Sequence, residues 1–307
     1  MTTFQPTNKM MSRYSCAPRL QKSYVTLIAL SSLLAAGSAH AQTADASAAD
    51  KPATADAAAG SGAAASAPAS PISGSLTLAS QYISRGVRQT WGNPAIQGSV
   101  TYTAANGLFA GIWGSNVSGK LIENGNLELD LYGGYGSNVG DINYSTSLFY
   151  YVYPGARMSA SGTKYNYGEF VVSGGYKWLT LKYSLTVTRD YFGDNSATLG
   201  EGNNRHSRGS GYFDAALDIP LGNDFNLHLH YGNQRVRNFS HYDFQDIEAS
   251  LIKNFSAGWS VKAGVTSAHN SHGAYAHYTT GIPNANGQIS TSNPLQTTVF
   301  VTLTKNF

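Results

Sequence analysis

The chain has 307 residues, of which 42% are hydrophobic and 12% charged, with 33 glycines, 20 tyrosines and a single cysteine. Its formal charge is +3, but residues 1–41 hold four basic residues (Lys9, Arg13, Arg19, Lys22) and no acidic one, so taking four from +3 leaves −1 for residues 42–307. That balance argues against a nucleic-acid partner, and with Cys16 as the only cysteine, residues 42–307 can form no disulfide, thiol nucleophile or thiolate metal site.

The N-terminal basic residues precede a short apolar run, Tyr24 to Gly37, and then Ala39-His40-Ala41. This is the order of a secretory signal peptide, with cleavage expected after Ala41. Met10 and Met11 are alternative starts to Met1, because the basic region is long. Cys16 lies before the apolar run, whereas a lipoprotein cysteine would follow it. Residues 42–71 are mostly Ala, Ser, Asp, Gly and Pro without an aromatic, a composition that cannot bury a core and predicts a disordered periplasmic leader.

Residues 72–307 predict about twelve strands: Ser75–Ile83, Ala95–Ala104, Leu108–Ser115, Asn126–Gly136, Ile142–Tyr153, Tyr167–Tyr176, Leu179–Arg189, Gly211–Ile219, Phe225–Gly232, Phe244–Lys253, Ser260–Ala268 and Leu295–Phe307. Asn106-Gly107 marks a tight hairpin. Connections after even-numbered strands are short and those after odd-numbered strands are mostly long. Alternation is clean in several strands: Leu181, Tyr183, Leu185 and Val187 against Lys182, Ser184, Thr186 and Thr188; Phe225, Leu227, Leu229 and Tyr231 against Asn226, His228 and His230. The last strand keeps it to the chain end, with Val299, Val301, Leu303 and Phe307 on one parity, and Lys305 the exception. One face thus meets an apolar medium and the other a polar one.

A soluble β-sandwich shares this alternation. The signal peptide, the even strand count, the unequal connections and a terminal Phe307 favour an all-β fold instead: a transmembrane antiparallel up-and-down β-barrel of the Gram-negative outer membrane. Phe307 would be the signal read by the barrel-assembly machinery. Tyr82, Tyr102, Trp113, Tyr135, Tyr144, Tyr176, Trp178, Phe225 and Trp259 lie near strand ends, where aromatic girdles meet lipid. The Leu108–Ser115 strand is ambiguous, since both of its faces carry apolar residues.

The segments Leu76–Thr90 (LTLASQYISRGVRQT), Pro94–Gly98 (PAIQG) and Asn106–Asn116 (NGLFAGIWGSN) resemble the TorF family of proteobacterial outer-membrane porin-like proteins, first known as conserved proteins of unknown function. The resemblance covers about residues 72–307. It implies an outer-membrane location and a pore, and it supplies no catalytic residue.

The polar parity places Glu128, Asp130, Glu169, Lys182, Asp214, Asp218, His228, His230, Asp246, Glu248 and Lys262 in the lumen as candidate pore-lining residues. Their excess of carboxylates would favour cations. Arg85 and Arg88, at the top of the first strand, are candidates for lining the mouth, pairing with lumen carboxylates or binding lipopolysaccharide phosphates. Arg189, Arg205, Arg208, Arg235 and Arg237 fall in or beside the long connections, next to the anionic outer leaflet. His269, His272 and His277 lie close together but without an acidic neighbour, which makes a poor metal site. Ser and His co-occur in Ser267–Gly273, as in outer-membrane phospholipases, but the matching motif is missing. No cofactor and no enzymatic activity are expected. The expected function is passive diffusion of small solutes; the alternatives are a phospholipase-like barrel or a sealed structural barrel, plugged by residues 42–71.

Overall fold

The computed structural model describes residues 70–281, 283 and 286–307. The expected signal peptide, and the expected leader except Ser70 and Pro71, lie outside the described residues. Twelve strands form one closed antiparallel barrel: β1 (Ile72–Ala79), β4 (Ala95–Thr103), β5 (Leu108–Asn116), β6 (Leu127–Val139), β7 (Ile142–Val152), β8 (Tyr167–Tyr176), β9 (Leu179–Thr186), β10 (Gly211–Gly222), β11 (Phe225–Arg235), β12 (Phe244–Asn254), β13 (Trp259–His269) and β14 (Thr298–Asn306). Each pairs with its sequence neighbours, and β14 closes on β1 with Ser75 opposite Asn306 and Ala79 opposite Thr302. Two further strands, β2 (Ile83–Ser84) and β3 (Val87–Arg88), make a separate two-stranded ribbon.

Local chemistry explains the two unlike ends. At one end the turns are tight. Gly107 follows Asn106 at φ +88°, and Asn223 and Asp224 both sit at positive φ, the geometry that lets a two-residue turn follow strand twist. At the other end the connections are residues 80–94, 117–126, 153–166, 187–210, 236–243 and 270–297. They are held by their own bonds. Residues Ser196–Leu199 form a short helix, α1, whose Asn195 side chain accepts from the backbone N–H of Ala197 and Thr198.

The period of two sorts the side chains. Val299, Val301 and Leu303 of β14 face outward and are exposed, while Phe300, Thr302 and Thr304 are buried inside. The ambiguous strand β5 resolves the same way, with Leu108 and Ile112 outward and Phe109 inward. At the tight-turn end, Tyr102, Tyr135, Tyr144, Tyr176, Trp178, Phe255, Trp259 and Phe307 are all exposed. Lysines lie over these rings, Lys177 at 5.1 Å from Tyr176 and Lys305 at 4.7 Å from Phe307.

Four sequence expectations need correction. The first strand spans 72–79 rather than 75–83, because Ile83 and Ser84 turn into the β2–β3 ribbon. The strand expected to reach Arg189 ends at Thr186, and the last strand begins at Thr298 rather than Leu295. Tyr82 and Trp113 belong to no outer girdle: Tyr82 is buried and packs on Trp113 at 5.3 Å.

Closure rests on the β1–β14 register, where the Thr77 and Thr304 hydroxyls meet at 2.9 Å inside the barrel. With Cys16 replaced, a Thr77→Cys/Thr304→Cys pair is expected to form a disulfide on mild oxidation, read as a band shift reversed by reductant. Thr77→Cys/Val301→Cys, which places the second thiol on the outer face, is the non-crosslinking control.

Candidate functional site

The interior is the candidate site, and its wall has three sectors. Strands β13, β14, β1, β4 and β5 contribute hydroxyls and amides such as Ser260, Thr302, Thr304, Thr77, Gln97 and Ser115, all buried. Among the described residues neither amide atom of Gln97 has a protein partner, and the same holds for the hydroxyls of Ser260 and Thr302. Buried polar groups of this kind are satisfied by water.

The second sector is aromatic. From the long-loop end downward, Tyr167 stacks on Tyr151 at 4.4 Å, Tyr151 on Phe149 at 6.1 Å, and Phe149 on Tyr132 at 5.3 Å. Phe109 and Val171 complete this cluster. Glu128 and Asp130 are buried on β6 in the same sector, and the Tyr153 hydroxyl donates to Glu128.

The third sector, β8 to β13, is ionic. Lys182 lies 3.5 Å from Asp214, His230 lies 2.8 Å from Asp246 and 3.5 Å from Asp214, and the Tyr212 hydroxyl donates to Asp246 at 3.0 Å. Lower down, His228 contacts Asp218 at 2.6 Å, and Lys262 contacts Glu248 at 2.7 Å. Gly232 gives Tyr212 and Asp246 their room, since a side-chain carbon there would overlap both.

All eleven lumen candidates therefore lie on the inner face. Glu128, Asp130, Glu169, Asp214, His228, Asp246 and Lys262 are buried, and Lys182, Asp218, His230 and Glu248 are partly buried.

Arg85 spans the lumen from the first long connection. It sits at φ +50°, followed by Gly86 at +71°, and this turn carries the guanidinium inward. Its two terminal nitrogens donate to both Glu169 oxygens, at 3.1 and 2.7 Å, and one also donates to Gln234 at 3.0 Å. The guanidinium covers the Tyr212 ring at 4.4 Å. Tyr151 donates to Glu169 from the other side. Of the three roles open to Arg85 in the sequence, pairing with a lumen carboxylate is the geometry observed. Gly86 is required by space as well as by φ, because an added carbon would lie 2.6 Å from the Asp246 Cβ and 2.8 Å from that of Ala268. Arg88 stays within the connection, donating to Gln81. Gln81, Tyr212 and Gln234 escaped the sequence reading, because neutral residues on polar parity carry no signal beyond their position.

Above Arg85 the six long connections enclose a cavity of about 420 Å³. Phe192 is its hub, with Tyr153, Tyr165 and Tyr167 meeting it edge-on. Burial and the neighbouring charge of Asp190 push the Asp194 carboxyl well above the usual carboxylate range, and burial pushes the Tyr165 phenol up to about 12.

The histidine candidates do not converge. Among the described residues no group of three metal-ligating side chains forms. The His272 ring lies tilted against that of His241 at 4.9 Å, and Ser267 bonds Thr297 rather than a histidine. Phe307 ends the seam, its N–H donating to Gly74.

Because Arg85 and Glu169 are both desolvated, removing one takes the facing opposite charge from the other. Glu169→Gln is expected to cost about 3–5 kcal/mol of unfolding free energy in urea titration. The paired Arg85→Met/Glu169→Gln variant should recover part of that loss, and an additive double-mutant cycle would show the pair to be uncoupled.

Several solved structures are similar in architecture. A structure described as KdgM porin shares 9% identity, covering 76% of this chain and 99% of its own, with a TM-score of 0.45. A NanC porin shares 8% over 76% and 98%, with a TM-score of 0.44. The Pseudomonas putida toluene transporter TodX shares 8% over 76% and 87%, with a TM-score of 0.39. No curated protein sequence matches significantly. The model of the family described as "Bacterial protein of unknown function (Gcw_chp)" matches residues 63–307, and the chain belongs to that family.

Proposed function

We propose that this protein is an outer-membrane channel for small polar solutes, constricted by Arg85 and weakly selective for cations. The observation that carries the reading is the inverted polarity of the barrel. Large apolar side chains such as Ile96, Leu148, Ile247 and Val301 are more than half exposed outside, whereas Glu169, Asp246 and Lys262 are at most 2% exposed inside. A water-soluble barrel would reverse this, and a lipid-spanning barrel requires it. The rings and lysines at the tight-turn end suit a membrane interface, and the TorF resemblance of the first third points the same way.

The route runs past Arg85 and then between the stacked rings and the ionic wall. Seven carboxylates (Glu128, Asp130, Glu169, Asp214, Asp218, Asp246, Glu248) face three permanent cations (Arg85, Lys182, Lys262). In a narrow, low-dielectric passage this excess raises the local cation concentration. The Arg85–Glu169 bridge narrows the opening, so wild-type conductance should be small.

Purified protein in planar bilayers tests this. Discrete channel events are expected, with a cation-selective reversal potential in a KCl gradient. Arg85→Ala should raise the unit conductance at least twofold and increase cation selectivity. Silence from both proteins would remove the channel reading while leaving the barrel, and an anion-selective potential would overturn the electrostatic part.

A further inference from the structure

The cavity at the long-loop end has a chemistry of its own. All six long connections contribute to its wall, among them Tyr82, Glu123, Tyr165, Phe192, Tyr242 and Tyr278. Its volume of about 420 Å³ is that of a small-molecule site. The wall is built rather than accidental. Tyr278 donates to the Leu121 carbonyl at 2.7 Å, Tyr275 donates to the Tyr242 carbonyl, and the backbone N–H of Glu123 donates to Tyr165 at 3.1 Å. Four distant connections are thereby pinned around one space.

The acidic groups in that wall differ in their partners. Glu128 accepts from the Tyr153 hydroxyl, while Asp194 and Glu123 face the space from two connections. The Glu123 carboxylate accepts only the backbone N–H of Ser159, and no hydrogen bond or ion pair reaches the Asp194 carboxylate among the described residues. Among the described residues the lining holds one permanent cation, Arg85, and its guanidinium donates to Glu169 and Gln234. Burial holds the Asp194 carboxyl toward its neutral form; an anionic guest would push it further that way, whereas a cationic guest would favour the carboxylate and supply its partner. A guest carrying positive charge on an apolar body would satisfy both the rings and the carboxylates, because aromatic faces attract cations, most strongly where water is excluded.

We infer that this cavity is a binding site for small organic cations, ammonium compounds with an apolar or methylated body, held by the Phe192-centred rings and by Asp194 at the mouth of the channel. This deepens the channel reading and rests on it for the route that a bound cation would follow. Binding itself does not require conduction.

The test uses the full protein in detergent, with choline as probe and 3,3-dimethyl-1-butanol, its uncharged isostere, as comparison, both followed by calorimetry. Choline is expected to bind at least tenfold more tightly than the isostere, with Asp194→Asn and Phe192→Leu each weakening it about tenfold. Two variants are used so that misfolding of one cannot decide the outcome, and the wild-type comparison needs neither. Equal binding of choline and the isostere, no binding of choline, or full retention in both variants would overturn the inference. Bilayer recordings on the same preparations separate the two claims: a conducting protein that ignores choline refutes the site alone, and a silent protein that binds choline refutes the channel alone.

Discussion

The constraint on which everything else depends is that no strand edge can be left unpaired in an apolar medium. Each free N–H and C=O there costs several kcal/mol, so the sheet must close. The β1–β14 seam does this, from Ser75–Asn306 to Ala79–Thr302, with the Phe307 N–H capping it on Gly74. Once the ring is closed, the period of two has one remaining freedom, which is the parity that faces in. Val299, Val301 and Leu303 point outward and Thr302 and Thr304 inward, so the polar set is enclosed.

Enclosure then changes the value of every charge. Lys262 and Glu248 at 2.7 Å, or Arg85 and Glu169 at 2.7 Å, would contribute little on a wet surface. Inside a narrow barrel they are desolvated, and each depends on its partner. The interior is therefore neither an open tube nor a hydrocarbon core. One wall carries stacked rings, the facing wall carries paired charges, and a single arginine from the first long connection crosses between them. Above that crossing, residues from six connections, with tyrosines from five of them, leave a cavity lined by rings and by the Asp194 and Glu123 carboxyls.

Much of this was legible in the chain because it is periodic. The alternation in β9, β11 and β14, and the Asn-Gly turn before β5, gave all twelve strands and the inner parity of Glu169, Asp214 and Asp246. What escaped is aperiodic. The inward course of residues 80–94 depends on a positive φ at Arg85 and on the absence of a side chain at Gly86. Its partners, Glu169 and Gln234, lie 84 and 149 residues away, and no local pattern encodes such a pairing. Most tyrosines of the cavity are equally unreadable, since all but Tyr151 and Tyr167 sit in connections without periodicity. Tyr82 and Trp113 misled for a related reason: a strand-end aromatic suits a girdle or a vestibule equally well until the chain's path is known.

The inverted polarity is tested most directly by cysteine scanning along β14 in lipid vesicles, with Cys16 replaced and a small charged, membrane-impermeant thiol reagent. Thr302→Cys and Thr304→Cys are expected to react from the water side, while Val299→Cys, Val301→Cys and Leu303→Cys stay protected by lipid. The opposite pattern, or equal reactivity at all five positions, would contradict a barrel that faces lipid outside and encloses a wet polar lumen.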